Sequence, residues 1–211
     1  MGENLTHDFT PQCHHLRWLT EHLDGWQFGE QGLIDTLLRT LKLTHGLCIE
    51  FGAGDGDDLP VTIDHACQFH QSQCILVEID DEKRKSLSKI YPDATVCKTL
   101  DWNNKYLDEV NVVVIDIDGQ DSVVMREMFE AGVRPTLIVV EHMDRHFPIG
   151  TSIPDTIPQW MLGLKLKSGH AIQDTAETLH AIAAQNGYER IGFNRCNSFF
   201  VVKERYTDLF R

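Results

Sequence analysis

The chain has 211 residues, 42% of them hydrophobic and 24% charged, and 19 basic against 32 acidic residues leave a net charge of −13. That length suits a single domain with one sizeable core, and no apolar run approaches the roughly 18 residues of a membrane-spanning helix. An acidic surface repels phosphate backbones, and with no local basic patch a duplex nucleic-acid partner is not expected.

In chain order, residues 1–30 are mixed and carry Trp18, Trp26 and Phe28; the basic start and apolar stretch of a secretory signal are missing. Leu33, Ile34, Leu37, Leu38 and Leu41 recur at helical spacing and predict an amphipathic helix over 30–43. Leu47–Phe51 is a short apolar run ending in a glycine loop, which reads as a buried parallel strand. Asp57 or Asp58 can cap the helix that follows, with Pro60 tolerated in its first turn. A second strand over 74–79 and a charged helix over 81–90 come next, with Asp80 and Asp81 as its caps. Residues 94–98 and the β-branched 111–115 are strands three and four. A helix over 121–131 ends at Gly132, and 136–140 is strand five. Residues 144–170 break the pattern with Pro148, Pro154 and Pro158, as a functional loop or lid does. A helix over 171–186 precedes two closely linked strands, 188–193 and 198–203, expected to be antiparallel.

Strands alternating with helices predict an α/β, doubly wound, Rossmann-like fold. The sheet is mainly parallel, with helices on both faces. Residues 1–43 are expected as an N-terminal helical cap segment and 44–211 as the ligand-binding domain, within one domain overall.

The stretch Glu50-Phe51-Gly52-Ala53-Gly54-Asp55-Gly56-Asp57-Asp58 follows a strand and opens a helix. Glycines there let the backbone turn tightly against a ligand. A dinucleotide needs amides and a helix N-terminus free of negative charge for its pyrophosphate. This loop holds Glu50, Asp55, Asp57 and Asp58 and no basic residue. Two like charges ~4 Å apart repel by roughly 4 kcal/mol at an effective dielectric near 20. The G-x-G-x-x-G spacing also fails, because Asp57 stands where the third glycine belongs. The same acids suit a cationic nucleoside such as S-adenosylmethionine. Glu78, at the end of strand two, is placed to accept from ribose hydroxyls. Asp101 and Trp102 are placed for an adenine amino group and ring face, or for a plain turn and a buried indole.

The six cysteines, Cys13, Cys48, Cys67, Cys74, Cys97 and Cys196, show no C-x-x-C spacing. All six are expected to be reduced, in a cytoplasmic protein. Cys13-His14-His15 and His65-Ala66-Cys67 with His70 fit no standard zinc spacing.

Four stretches carry a resemblance: Trp26–Gly32 with Cys48–Gly56, Val114–Asp121, Ile138–His142, and Asn186–Tyr188 with Asn197–Val201. Together they resemble the class I S-adenosylmethionine-dependent methyltransferases. Within these they are similar to the FkbM-type group and a bacterial branch of small proteins opening on QFGEDG…EFGAxDG. The resemblance covers roughly residues 26–142 and 169–203; 144–170 have no match. It implies a seven-stranded sheet with a reversed last strand. It also implies a donor site drawn from Glu50, Gly52, Ala53, Gly54, Gly56, Glu78, Ile79, Asp101, Trp102 and Asp116. O-methylation of a small molecule or glycan is the usual reaction. Some members have no assigned reaction.

A hydroxyl acceptor must lose its proton to a base or a bound cation. Strands four and five end at one sheet edge and bring Asp116, Asp118, Asp121, Glu141 and His142 there. Asp116 ranks first as the catalytic carboxylate. His142 is a candidate base that titrates near working pH, and Asp118 is a third candidate. A magnesium ion on Asp116, Asp118 and Glu141 is an open alternative. Two other readings stay open: a donor-binding protein without methyl transfer, and a lyase or aminopropyl transferase on the same fold. Composition leaves the oligomeric state undetermined.

Overall fold

The computed structural model describes residues 10–22, 29–43, 45–57, 61–64, 72–102, 107, 109–117, 119–142, 174–194 and 196–210. The expectations for Trp26, Phe28, Asp58, Pro60, His65, Cys67, His70, Asp118 and the 144–170 loop fall outside them.

Strand β1 (Thr10–Pro11) and a 3-10 segment (His14–His22) precede helix α1 (Glu30–Thr40) and strand β2 (Leu47–Phe51). Then follow β3 (Gln73–Val77), α2 (Asp81–Ile90), β4 (Thr95–Cys97), β5 (Val110–Ile115), α3 (Asp121–Glu130) and β6 (Leu137–Glu141). Helix α4 (Ala176–Gln185), β7 (Tyr188–Phe193), β8 (Asn197–Val202), a one-turn helix α5 (Lys203–Tyr206) and a 3-10 turn (Thr207–Phe210) close the chain. Each predicted strand and helix among these residues is present, with ends shifted by up to three residues and α4 starting five residues later than expected.

The strands form one sheet in the order β1-β7-β8-β6-β5-β2-β3-β4. β4, β3, β2, β5 and β6 run parallel, and β8 lies antiparallel between β6 and β7. The doubly wound, mainly parallel sheet with a reversed last strand is therefore as expected. One strand was not foreseen: Thr10–Pro11 adds an eighth at the β7 edge. Two residues carry no legible period, and proline at an edge strand costs no ladder bond.

β2 and β5 are buried at every position, and β6 at all but its last. Parallel strands covered on both faces need such unbroken apolar runs. Successive side chains point to opposite faces, so each strand feeds two cores. Cys48, Val112, Val114, Leu137 and Val139 join Leu33, Leu37 and Leu38 of α1 and Leu41 just after it on one face. Ile49, Val113, Ile115, Ile138 and Val140 meet Met125 and Met128 of α3 and Leu179 and Ile182 of α4 on the other. Asp80 caps α2, its carboxylate accepting from the Glu82 and Lys83 amides at 2.8 and 3.0 Å. Among the described residues no helix is long and apolar enough to cross a membrane.

The six-thiol expectation needs correcting. Cys74 is disulfide-bonded, while Cys13, Cys48, Cys97 and Cys196 are free. Pairing depends on approach in space, which spacing along the chain does not report.

Candidate functional site

β2 is flanked by β3 on one side and β5 on the other, and the chain crosses over between them. In doubly wound sheets a ligand crevice opens at the carboxyl ends of the strands at this switch point. The residues leaving β2, β3 and β5 there are Gly52–Gly56, Glu78–Asp80 and Asp116–Gly119.

The three loop glycines do different work. All have positive φ: 79° at Gly52, 67° at Gly54 and 76° at Gly56. A Cβ on Gly52 would lie 1.6 Å from the Asp116 carbonyl oxygen, so Gly52 lets β2 and β5 close together. A Cβ on Gly56 would crowd Leu87, Ile90 and Tyr91, so Gly56 seats the loop on α2. A Cβ on Gly54 would meet nothing within 4 Å. Of the three, Gly54 alone has no described atom beside its Cβ position. Ala53 is buried beneath it.

Glu78 is buried and faces this loop. One carboxylate oxygen accepts from the Gly54 amide at 3.0 Å and the other from the Asp80 amide at 2.9 Å. A carboxylate has about four acceptor directions, so two remain for hydroxyl donors. Beside it the Ile79 side chain is 76% exposed. Trp102, after β4, lies on Phe51 with ring centroids 5.2 Å apart, next to the exposed Asp101.

The loop's own acids are disposed differently from what their number suggests. Glu50 is buried, and its two oxygens accept from the amides of Thr62 and Ile63, both at 2.9 Å. Burial pushes its pKa up to about 7, against those two bonds, and the nearby Asp116 charge adds to the rise. Asp55 accepts from the Asp57 amide at 3.0 Å in a local turn. Glu50 thus anchors the segment after the loop.

On the β5 side, Asp116 is half-buried, its amide donating to the Phe51 carbonyl at 3.0 Å. Asp121 is fully buried and accepts from the Ile117 and Gly119 amides, both at 3.1 Å. Burial raises its pKa to about 7, with Asp116 again contributing. Asp121 therefore shapes the turn that presents Asp116. The Ser122 amide at the start of α3 donates to Asp174 at 2.9 Å.

His142 lies at the end of β6. It is 1% exposed, and burial lowers its pKa to about 4. The positive charge of Arg190 adds to the drop, while a hydrogen bond to the Asn197 backbone opposes it. That shift favours the neutral imidazole. Glu141 ends β6 half-buried, in register with Asn197. Among the described residues no group of three or more His, Cys, Asp or Glu could hold a metal ion; the third suggested magnesium ligand, Asp118, lies outside them.

Glu30 and Gln31 are buried polar residues at the start of α1 that sequence reasoning did not assign to the site. They fall within a stretch quoted for the resemblance, and that was their only signal.

No protein-family model and no curated protein matches this sequence. Solved structures match it in shape. DesVI of Streptomyces venezuelae superposes with a TM-score of 0.53 at 14% identity, covering 82% of this chain and 90% of that one. OxaC, solved in complex with SAH and oxaline, gives 0.49 at 9% identity, covering 78% of this chain and 45% of its own. The mitomycin 7-O-methyltransferase MmcR gives 0.45 at 12%, covering 81% and 56%. The chain spans about half the length of these last two. At such identities the likeness is one of fold, a Rossmann-like α/β fold with a mainly parallel sheet.

Proposed function

We propose that this chain is an S-adenosylmethionine-dependent methyltransferase that modifies a hydroxyl of a small molecule or glycan. The observation that carries the reading is the contact between Glu78 and the Gly54 amide at 3.0 Å. That amide is one a pyrophosphate would need, and it is already given to a carboxylate. A phosphate at this loop would face the buried Glu78 charge directly. A nucleoside with free ribose hydroxyls meets the opposite situation, because Glu78 keeps acceptor directions for both. The open ground over Gly54, the exposed Ile79 side chain and Trp102 on Phe51 suit an adenosine between the β3 and β4 ends.

S-adenosylmethionine, when bound, supplies an electrophilic methyl group on a sulfonium. The chain's own part is alignment and proton removal. Holding two reactants in near-attack geometry is worth roughly 7–11 kcal/mol. Asp116, half-buried at the end of β5, is the carboxylate assigned here to take the acceptor's proton. His142, buried and with its pKa lowered, lines the β6 end and is a weaker candidate for the base than Asp116. The FkbM-type branch and a cytoplasmic setting rest on sequence features alone.

The test is incubation of the protein with labelled S-adenosylmethionine and a panel of hydroxylated small molecules and glycans. Methylated product with S-adenosylhomocysteine supports the reading. Methylthioadenosine instead indicates a lyase or aminopropyl transferase. Donor binding with no turnover on any acceptor indicates a binding protein.

A further inference from the structure

The first turn of α1 reaches both sides of the crevice. Glu30 is 5% exposed, and a buried carboxylate needs donors in place of water. Its Oε1 accepts from Asn194 Nδ2 at 2.5 Å and from Asn197 Nδ2 at 3.1 Å. Asn194 Oδ1 in turn accepts from the Cys196 amide at 3.1 Å and the Asn197 amide at 2.7 Å. The Cys196 carbonyl accepts from the His142 amide at 2.5 Å. A short chain of bonds thus runs from the Glu30 carboxylate, through the β7–β8 turn, to the end of β6.

The neighbouring residue faces the other way. Gln31 Nε2 donates to the Val61 carbonyl at 3.1 Å, just before the two amides that Glu50 holds. Adjacent helical side chains diverge by about 100°, so one turn serves both partners. α1 is a firm base for this, with Leu33, Ile34, Leu37 and Leu38 fully in the core. Its N-terminus has no side-chain cap, and Gly29 turns into it at φ 86°.

We infer that the first turn of α1 is a brace across the site, in which Glu30 is a positioning residue for the acceptor-side edge at His142 and Gln31 one for the donor-side segment at Val61. The names of the two sides rest on the methyltransferase reading; the brace to His142 stands apart from it. Substitution at each end acts on its own side. Glu30→Gln keeps one oxygen for the Asn194 and Asn197 amides but makes it a neutral, weaker acceptor than a carboxylate. The β7–β8 turn then loosens, and with it the His142 amide bond.

The experiment compares Glu30→Gln and Gln31→Leu in the full chain. It uses amide hydrogen exchange at His142, ¹⁵N imidazole resonances of His142, and S-adenosylhomocysteine titration calorimetry. Glu30→Gln is expected to speed His142 amide exchange at least tenfold and shift the imidazole signals, with Kd within twofold of wild type. Gln31→Leu is expected to weaken Kd at least fivefold and leave His142 exchange within twofold. Unchanged His142 signals in Glu30→Gln, or both variants moving both readouts alike, overturn the inference. Should Glu30→Gln not fold, Asn197→Ala removes one donor to the same oxygen and must give the same selective response. If neither folds, the cluster is a determinant of the fold and the positioning role is wrong. A wild-type protein that does not bind S-adenosylhomocysteine removes the methyltransferase reading, and the His142 signals still decide the brace.

Discussion

The Glu78 carboxylate and the Gly54 amide, 3.0 Å apart, tie the loop leaving β2 to the end of β3. The second oxygen of Glu78 holds the Asp80 amide at 2.9 Å, so one side chain fixes the register of both loops. Glu78→Ala should weaken donor binding at least tenfold, a loss of about 1.4 kcal/mol. It should also lower stability by about 1–3 kcal/mol through two amides left unpaired. Glu78→Gln, which keeps one acceptor oxygen, should fall between the two. A dissociation constant unchanged in Glu78→Ala removes Glu78 from the site.

Gly52 and Gly54 share a left-handed backbone but differ in surroundings. Gly52→Ala drives a methyl group into the Asp116 carbonyl and is expected to abolish folding or lower Tm by more than 10 °C, several kcal/mol on the usual scale. Gly54→Ala carries only the conformational cost of about 1–2 kcal/mol. It should fold, yet bind donor at least tenfold more weakly, because its methyl group enters the ligand's space. Thermal melts and calorimetry on the pair check this; equal effects on folding would contradict the division of labour.

Asp116→Asn should leave donor affinity within about twofold and reduce turnover by roughly a hundredfold, the scale of a lost general base. Turnover at the wild-type rate would take Asp116 out of the chemistry.

Proton linkage gives stability a pH dependence with opposing parts. Glu50 rises from 4.5 to about 7 on folding and Asp121 from 3.8 to about 7, so the folded state binds their protons more tightly. Their contribution is full below the unfolded pKa and is lost as pH rises to about 7. His142 falls from 6.5 to about 4, so its contribution runs the other way, growing from about pH 4 to 6.5. Denaturant unfolding of wild type and Glu50→Gln across pH 4–8 isolates the first part. The wild type's advantage should shrink toward pH 7 and level off above it. For His142, NMR titration should show no inflection between pH 5.5 and 8; a midpoint near 6.5 would contradict its buried, neutral state.

The sheet was legible in the sequence because buried parallel strands such as Leu47–Phe51 and Val110–Ile115 must be apolar on both faces. Thr10–Pro11 was not, since two edge residues have no period. The place of the glycine loop after β2 and of Glu78 after β3 was legible from position alone. The charge count of the loop was less informative than it looked: Glu50 turns inward to Thr62 and Ile63, and the carboxylate that faces Gly54 comes from β3. Sequence gave the acids but not their directions. The burial that silences His142 depends on β7 and β8 packing beside it, and the roles of Glu30 and Gln31 depend on partners 30 to 167 residues away. Neither is written in local spacing.

The central claim is that the crevice beside Gly54 takes a nucleoside bearing no phosphate. Titration calorimetry with S-adenosylhomocysteine and NAD on the same protein sample tests it most directly. The account predicts saturable one-to-one binding of S-adenosylhomocysteine, weakened at least tenfold by Glu78→Ala, and no measurable heat from NAD. Tighter binding of NAD than of S-adenosylhomocysteine would contradict it.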